Sequence, residues 1–110
     1  MRPFRDLKVG SVLEHELAKL IARDFYVEGA LVTVVSVSVT KDLLHAEARM
    51  SIIPYDKEIE VYQALQAQRG TIEHKLYKIM NIRPFPRIEF TIDSPEEKLR
   101  AKKKGGLKRW

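Results

Sequence analysis

The chain has 110 residues, of which 45% are hydrophobic and 32% charged, and its formal net charge is +5. This length suits one domain with a single modest core, and no apolar run approaches the roughly 20 residues that span a bilayer. Its N-terminal residues carry charge without the apolar segment of a signal peptide, which argues against secretion. With no cysteine there are no disulfides, thiolate nucleophiles or thiolate-bound metals. We therefore expect a cytoplasmic, monomeric protein without membrane association.

The excess positive charge lies at the end of the sequence. Residues 1–95 carry 13 basic and 13 acidic residues, and residues 96–110 carry 7 basic and 2 acidic ones, so this last segment accounts for the whole +5. We predict a folded domain over residues 1–94 and a basic tail over residues 95–110, partly helical or disordered. A tail helix would start at Ser94 as N-cap, with Glu97 completing a capping box. The tail lysines that are candidate RNA contacts are Lys98, Lys102, Lys103 and Lys104.

In chain order, the first predicted elements are a helix and a strand hairpin. Apolar residues at intervals of three and four predict a helix over about 6–22. Residues 31–40 and 44–53 alternate apolar and polar side chains, which predicts two antiparallel strands. The connection at 41–43 is predicted to be a tight turn in which Asp42 bonds local backbone amides. The apolar positions of the helix are Val9, Val12, Leu13, Leu17, Leu20 and Ile21, and the inward positions of the second strand are Ala46, Ala48, Met50 and Ile52.

A pair of helices separated at Gly70 is predicted next. The first has an apolar stripe at Ile59, Tyr62 and Leu65, and the second has one at Ile72, Leu76, Ile79 and Met80. Glycine inside a helix costs roughly 1 kcal/mol relative to alanine, so Gly70 favours a bend or a close backbone approach. After Pro84 and Pro86, residues 87–92 form a strand with Ile88, Phe90 and Ile92 on one face. Helices on one face of three strands give an α+β two-layer sandwich.

No catalytic set emerges from the sequence. His15 and Glu16 begin an H-E-x-x-H pattern, but Lys19 stands where the second imidazole would have to lie. Phosphate-binding glycine loops are missing, and the carboxylates mostly alternate with basic residues, as on a solvated helix face. We therefore predict a protein without enzymatic activity, metal or cofactor. An RNA-processing enzyme, which would need a metal-binding carboxylate cluster, stays open as an alternative.

The second helix of the pair and the segment after it are rich in basic residues. Between residues 69 and 87 there are five Lys or Arg and a single acid, Glu73. A basic helical face beside a bend is suited to phosphate contact, so we predict an RNA-binding surface here. A solubilising face, or a module that pairs its strand edge with a protein, is the alternative. The candidate residues are Arg69, Gly70, Lys75, Lys78, Arg83 and Arg87.

The order of elements and several motifs resemble the ribosome-binding factor A family. The valine-rich strand ending in T-K-D-L at 40–43 is similar to that family's S/T-x-D-L, and Q-R-G at 68–70 is similar to its A-x-G helix kink. I-R-P-F-P-R-I-E-F at 82–90 resembles its L-R-x-x-P-x-L/I-x-F segment, and Asp93-Ser94 its terminal acid-serine. The resemblance covers about residues 5–94.

This resemblance implies a type II KH-like fold with the order α-β-β-α, glycine kink, α-β and a three-stranded mixed sheet. It also implies a ribosome biogenesis factor that binds the immature small (30S) ribosomal subunit and its 16S rRNA and assists late rRNA maturation near the decoding region, without catalysis. Gln68, Thr71 and Glu73 depart from the family pattern, which shifts the expected contact towards Lys75, Lys78, Arg83 and the tail. The alternative is a general RNA-binding KH-like module. Since a G-x-x-G loop is missing, shape and phosphate contact are expected rather than reading of base sequence.

Overall fold

The computed structural model of the chain describes residues 5–93, and the helices and strands follow the predicted order. They are α1 (Arg5–Asp24), β1 (Leu31–Val39), β2 (His45–Ile53), a short 3-10 turn (Tyr55–Lys57), α2 (Glu58–Ala67), α3 (Arg69–Met80) and β3 (Arg87–Ile92). The bounds of β3 are those predicted from the sequence, and α1 is longer at both ends. Within the described residues, no helix is long and apolar enough to span a membrane. The predicted tail helix and the four tail lysines that are candidate RNA contacts lie outside the described residues.

The three strands form one mixed sheet in the order β1-β2-β3. β2 is central, antiparallel to β1 and parallel to β3. Its alternate residues Ala46, Ala48, Met50 and Ile52 are all buried, as predicted, and face the layer of helices. Leu13 and Leu17 of α1, with Leu76 of α3, are fully buried in the same core. The predicted α+β two-layer sandwich is confirmed.

A bulge in β1 changes which of its valines face the core. Val34 pairs with Met50, but the next pair is Ser36 with Arg49, so Val35 has no partner in the register. Its side chain is consequently exposed, although an unbroken alternation along β1 would place it on the same face as Val37. Val37 is buried, and its N–H donates a hydrogen bond to the Glu14 carboxylate of α1 at 3.4 Å. The bulge and this carboxylate both protect the outer edge of the sheet from strand pairing.

The turn between β1 and β2 is built as predicted around Asp42. Its Oδ1 accepts the backbone N–H of Leu44 at 3.0 Å and the hydroxyl of Thr40. Leu43 takes a left-handed conformation, with φ of 64°. The hydrogen bond from Thr40, followed by that from Leu44, lowers the pKa of the Asp42 carboxyl. The charged carboxylate therefore fixes the connection that sets the hairpin register.

The apolar stripe of α2 was predicted correctly at Leu65 and wrongly at Ile59 and Tyr62. Val61 and Leu65 are fully buried, whereas Ile59 is 73% exposed and Tyr62 is also exposed. Val12 of α1 and Ile79 of α3, which were predicted to be apolar stripe positions, are exposed too. The core selects Val61 because it lies four residues before Leu65, and this spacing puts both side chains on one helical face.

Candidate nucleic-acid interface

The break between α2 and α3 falls at Gln68. Its φ and ψ are −101° and 6°, outside the helical range, and it separates Ala67 from Arg69. The Gln68 carbonyl then accepts the N–H of Ile72 at 2.9 Å, so α3 starts without a long connection. Gly70 is exposed and lies inside the first turn of α3, where a Cβ atom would meet nothing within 4 Å. The predicted break between the two helices is present, but it falls at Gln68 and not at Gly70, and it does not depend on a conformation that only glycine adopts.

One face of α3 is exposed and carries polar and basic side chains. Ile72 and Leu76 anchor the opposite face in the core. Gly70, His74 and Lys78 are spaced four residues apart and therefore share the outward face. Thr71 and Lys75 are neighbours on that face. We refer to these five residues as the α3 face.

Lys75 is held by an acid from another helix. Its ammonium lies 3.3 Å from the carboxylate of Asp24, at the end of α1. Arg23 also contacts this carboxylate, at 3.0 Å. The hydrogen bond from the Arg23 guanidinium, together with that from Lys75, holds the pKa of Asp24 below its usual value. Lys75 is therefore positioned at the α1–α3 junction with its charge partly compensated. Because Lys75 and Asp24 are 51 positions apart, no local sequence signal indicates this pair.

Arg83 is oriented by Tyr77. Its Nε donates a hydrogen bond to the Tyr77 hydroxyl at 3.0 Å, and the guanidinium carbon lies 5.9 Å from the centre of the ring. The ring of Phe85 approaches the same tyrosine edge to face at 6.3 Å. Both aromatic residues are half-buried, so the guanidinium is held at the surface beside α3. Tyr77 was not among the predicted site residues, because its spacing of six residues from Arg83 gives no sign of the contact.

Glu73, the only acid in this segment, is turned inward. Its Oε2 accepts the backbone N–H of Ile88 at 2.8 Å. Arg87 and Asp93 direct their N–H groups towards β2, bonding Leu44 and Met50 respectively, so the alternating N–H of Ile88 points to the outer edge of β3. The Glu73 carboxylate thus closes this edge with a charge-assisted hydrogen bond. Because the Glu73 carboxylate points towards β3, it offsets the positive charge of the α3 face less than the sequence pattern indicates.

The predicted basic residues are not all brought together. Lys75 and Lys78 lie on the α3 face, and Arg83 follows it in the connection to β3. Arg69 is half-buried and three residues before Ile72, which places it towards the core side of α3. Arg87 is exposed opposite His45 on the sheet face that the helices leave uncovered. Among the described residues, no group of His, Asp and Glu is arranged to hold a metal ion.

Comparison with known sequences identifies similar proteins along most of the chain. The sequence profile of the family described as Ribosome-binding factor A matches residues 5–104. A Ribosome-binding factor A of Anaplasma marginale is 33% identical over 92 residues, covering 81% of this chain and 77% of the relative.

Solved structures share the fold. The crystal structure of ribosome-binding factor A from Thermus thermophilus superimposes with a TM-score of 0.69 at 22% identity, covering 82% of this chain and 99% of the other. A homology model of the Thermus thermophilus ribosome binding factor A, fitted into the cryo-EM map of a 30S complex of that protein, has a TM-score of 0.62. It is also 22% identical and covers 76% of this chain and 90% of the other.

Proposed function

The chain belongs to the ribosome-binding factor A family, and we propose that it binds the immature small ribosomal subunit in the cytoplasm and assists late maturation of its 16S rRNA. The match of the family profile over residues 5–104 carries this proposal. The Thermus thermophilus relative in the complex with the 30S subunit has the same fold. The proposed role is that of an assembly factor that acts by binding, without catalysing a reaction.

The α3 face and Arg83 are the surface we assign to rRNA. Lys75, Lys78 and Arg83 offer three cations on one side of the helix layer, and Arg83 is already oriented by Tyr77. Fixed cations on a helix suit phosphate groups, because phosphate contacts set position and orientation without reading bases. The exposed backbone at Gly70 lets an RNA strand approach α3 closely. Recognition therefore depends on RNA shape and phosphate position.

Further contacts are proposed from the residues outside this centre. Four of the tail lysines, Lys98, Lys102, Lys103 and Lys104, add phosphate contacts that release counterions from the RNA. Arg69 and Arg87 rank below the α3 face, since the first is half-buried and the second lies on the other side of the sheet. The division into a KH-like domain over 1–94 and a basic tail over 95–110 is part of the same proposal.

Co-sedimentation with purified immature 30S subunits across a salt series tests this assignment. The full chain is compared with a Lys75→Gln, Lys78→Gln double variant. Log affinity falls as log salt rises, and this fall should become less steep by about 0.7 to 0.9 for each phosphate that the variant no longer contacts. We expect weaker binding by the double variant at low salt and a smaller difference at high salt.

A matched double variant, Lys41→Gln with Lys57→Gln, removes the same charge away from α3. Lys41 lies in the β1–β2 turn and Lys57 in the 3-10 turn before α2. This control should bind as the unmodified chain does. Equal weakening by both doubles would show that only total charge matters and would refute the α3 surface, and undiminished binding by the first double would refute it as well.

A further inference from the structure

A groove of about 1110 Å³ is lined by the N-terminal half of α2, the β1–β2 hairpin near its turn and the second half of β3, and no described residue of α3 lines it. Its apolar lining includes Ile59, Tyr62, Phe90 and Ile92. Ile59 is the most exposed large aliphatic side chain of the described helices and strands, at 73%. Because the exposed Tyr62 lines the same groove, the two side chains form an exposed apolar patch, which is the kind of surface that marks a binding site.

The groove is also acidic. Glu47 of β2, Glu58 of α2 and Glu89 of β3 line it, and no Lys or Arg of the described chain does. Glu47 and Glu89 are paired in the register of β2 and β3, so two carboxylates stand side by side on neighbouring strands. Like charges at this spacing repel each other and attract a cation. The lining therefore suits a segment that combines basic and apolar side chains.

We propose that the basic tail of the same chain, residues 96–110, docks in this groove. The tail carries 7 basic residues against 2 acids, together with Leu99, Leu107 and Trp110 as apolar groups. It follows β3 closely in the sequence, and Thr91 and Ile92 at the end of β3 already line the groove. A segment tethered so closely has an effective concentration in the millimolar range, which favours it over a separate partner of the same chemistry.

The docked tail neutralises the three carboxylates and covers Ile59. If the α3 face binds rRNA as proposed above, the tail lysines are shared between this acidic groove and rRNA phosphates, and RNA binding releases them. Docking itself involves only this chain. It can therefore be measured without ribosomes, and its failure would leave the assignment of the α3 face standing.

A spin label in the tail of the full-length chain tests the docking. Since the sequence has no cysteine, Gly106→Cys gives a single attachment site for a nitroxide and leaves every tail charge in place. We expect the amide signals of Glu47, Glu89 and Thr91 to lose intensity when the nitroxide is active and to regain it when the nitroxide is reduced. Raising salt from about 0.1 M to about 1 M shortens the Debye length from about 10 Å to about 3 Å, so the attenuation should weaken.

A charge variant and a matched control separate the groove from general attraction. The variant Glu47→Gln, Glu58→Gln, Glu89→Gln should abolish the attenuation. The control Asp6→Asn, Glu16→Gln, Glu28→Gln removes three acids from α1 and the loop that follows, none of which lines the groove, and should retain it. Absence of attenuation in the starting protein, or equal attenuation in both triples, would refute the docking.

If the groove variant fails to fold, the salt dependence of the attenuation still tests the proposal. Attenuation that is unchanged at about 1 M salt would refute docking through ionic contacts. A mixed sample distinguishes a second copy from the tail of the same chain. Isotope-labelled protein without the nitroxide is combined with unlabelled protein that carries it. Attenuation of the groove signals in this mixture would mean that the tail binds a neighbouring molecule, which overturns the intramolecular proposal.

Discussion

Gly70 illustrates how a residue that is proposed to contact a partner need not be required by the fold. Its φ is not in the left-handed region, and a Cβ atom would meet nothing within 4 Å. Gly70→Ala should therefore raise the free energy of unfolding, by up to about 1 kcal/mol, because alanine favours the helix. Urea denaturation measures this, with Ala67→Gly at the end of α2 as the opposite exchange, expected to destabilise. A loss of stability in Gly70→Ala would show that the glycine is required for the break itself.

Glu73, in contrast to Gly70, is expected to stabilise the fold, because its carboxylate accepts a hydrogen bond from the backbone of β3. Glu73→Ala leaves the N–H of Ile88 at the sheet edge without its acceptor, and an unpaired buried donor costs about 1–3 kcal/mol. Glu73→Gln keeps an acceptor oxygen and should lose less. The free energy of unfolding of both variants is compared with that of Glu28→Ala, which replaces an acid in the loop after α1 and should change it by less than about 0.5 kcal/mol. Equal values for Glu73→Ala and Glu28→Ala would contradict the edge contact.

At the scale of elements, α2 provides a direct comparison between the predicted and observed apolar faces. Val61 is fully buried and Ile59 is 73% exposed. Val61→Ala should reduce the free energy of unfolding by about 1.5–3 kcal/mol, since burial of such a side chain contributes this much. Ile59→Ala should change it by less than about 0.5 kcal/mol. Thermal or urea unfolding of the two variants measures these losses. A larger loss for Ile59→Ala than for Val61→Ala would show that the predicted stripe is the packed face.

The junction of α1 with α3 should respond to acid through Asp24. Its pKa is lowered from the ordinary 3.8 by the Arg23 guanidinium and then by Lys75. A carboxyl with a lowered pKa in the folded state stabilises the fold above its unfolded pKa, and this contribution disappears as pH falls through the folded value. Urea unfolding of Asp24→Asn should therefore depend less steeply on pH below about 4 than that of the unmodified chain. Glu28→Gln, which removes an acid from the loop after α1, should keep the original dependence.

The sequence predicts those elements whose side-chain pattern has only one solution. In β2, four small or aliphatic residues alternate with polar ones, and all four are buried; in β3, Pro86 fixes where the strand can begin. In α2 the pattern has two solutions, because Ile59 and Val61 each belong to a helical spacing that reaches Leu65. The bulge at Val35 and the pairs Glu73–Ile88 and Asp24–Lys75 arise only when distant elements meet. The basic residues of the candidate RNA-binding surface could therefore be found from composition. Their division between the α3 side and the uncovered face of the sheet could not.

The charge of the whole molecule is divided between a neutral body and a basic tail. Residues 1–95 balance 13 basic against 13 acidic residues, so a chain truncated after Pro95 has a formal net charge of zero. Its binding to immature 30S subunits should then depend on the α3 face, Arg83 and the lower-ranked Arg69 and Arg87. The decrease of log affinity with log salt should become less steep by about 0.7 to 0.9 for each tail phosphate contact that is lost. Co-sedimentation across a salt series measures that slope.

Combining the truncation with the α3 variant determines whether the two basic regions act on the same RNA. In the truncated chain, the affinity for immature 30S subunits should fall by a larger factor with the double variant Lys75→Gln, Lys78→Gln than with the control Lys41→Gln, Lys57→Gln. If tail and α3 face contact separate phosphates, their effects on the free energy of binding add, because distant contacts without shared partners are independent. If instead the truncated chain binds with an unchanged salt slope, the tail contributes no phosphate contact. The +5 charge of the sequence would then have its counterpart in the acidic groove rather than in RNA.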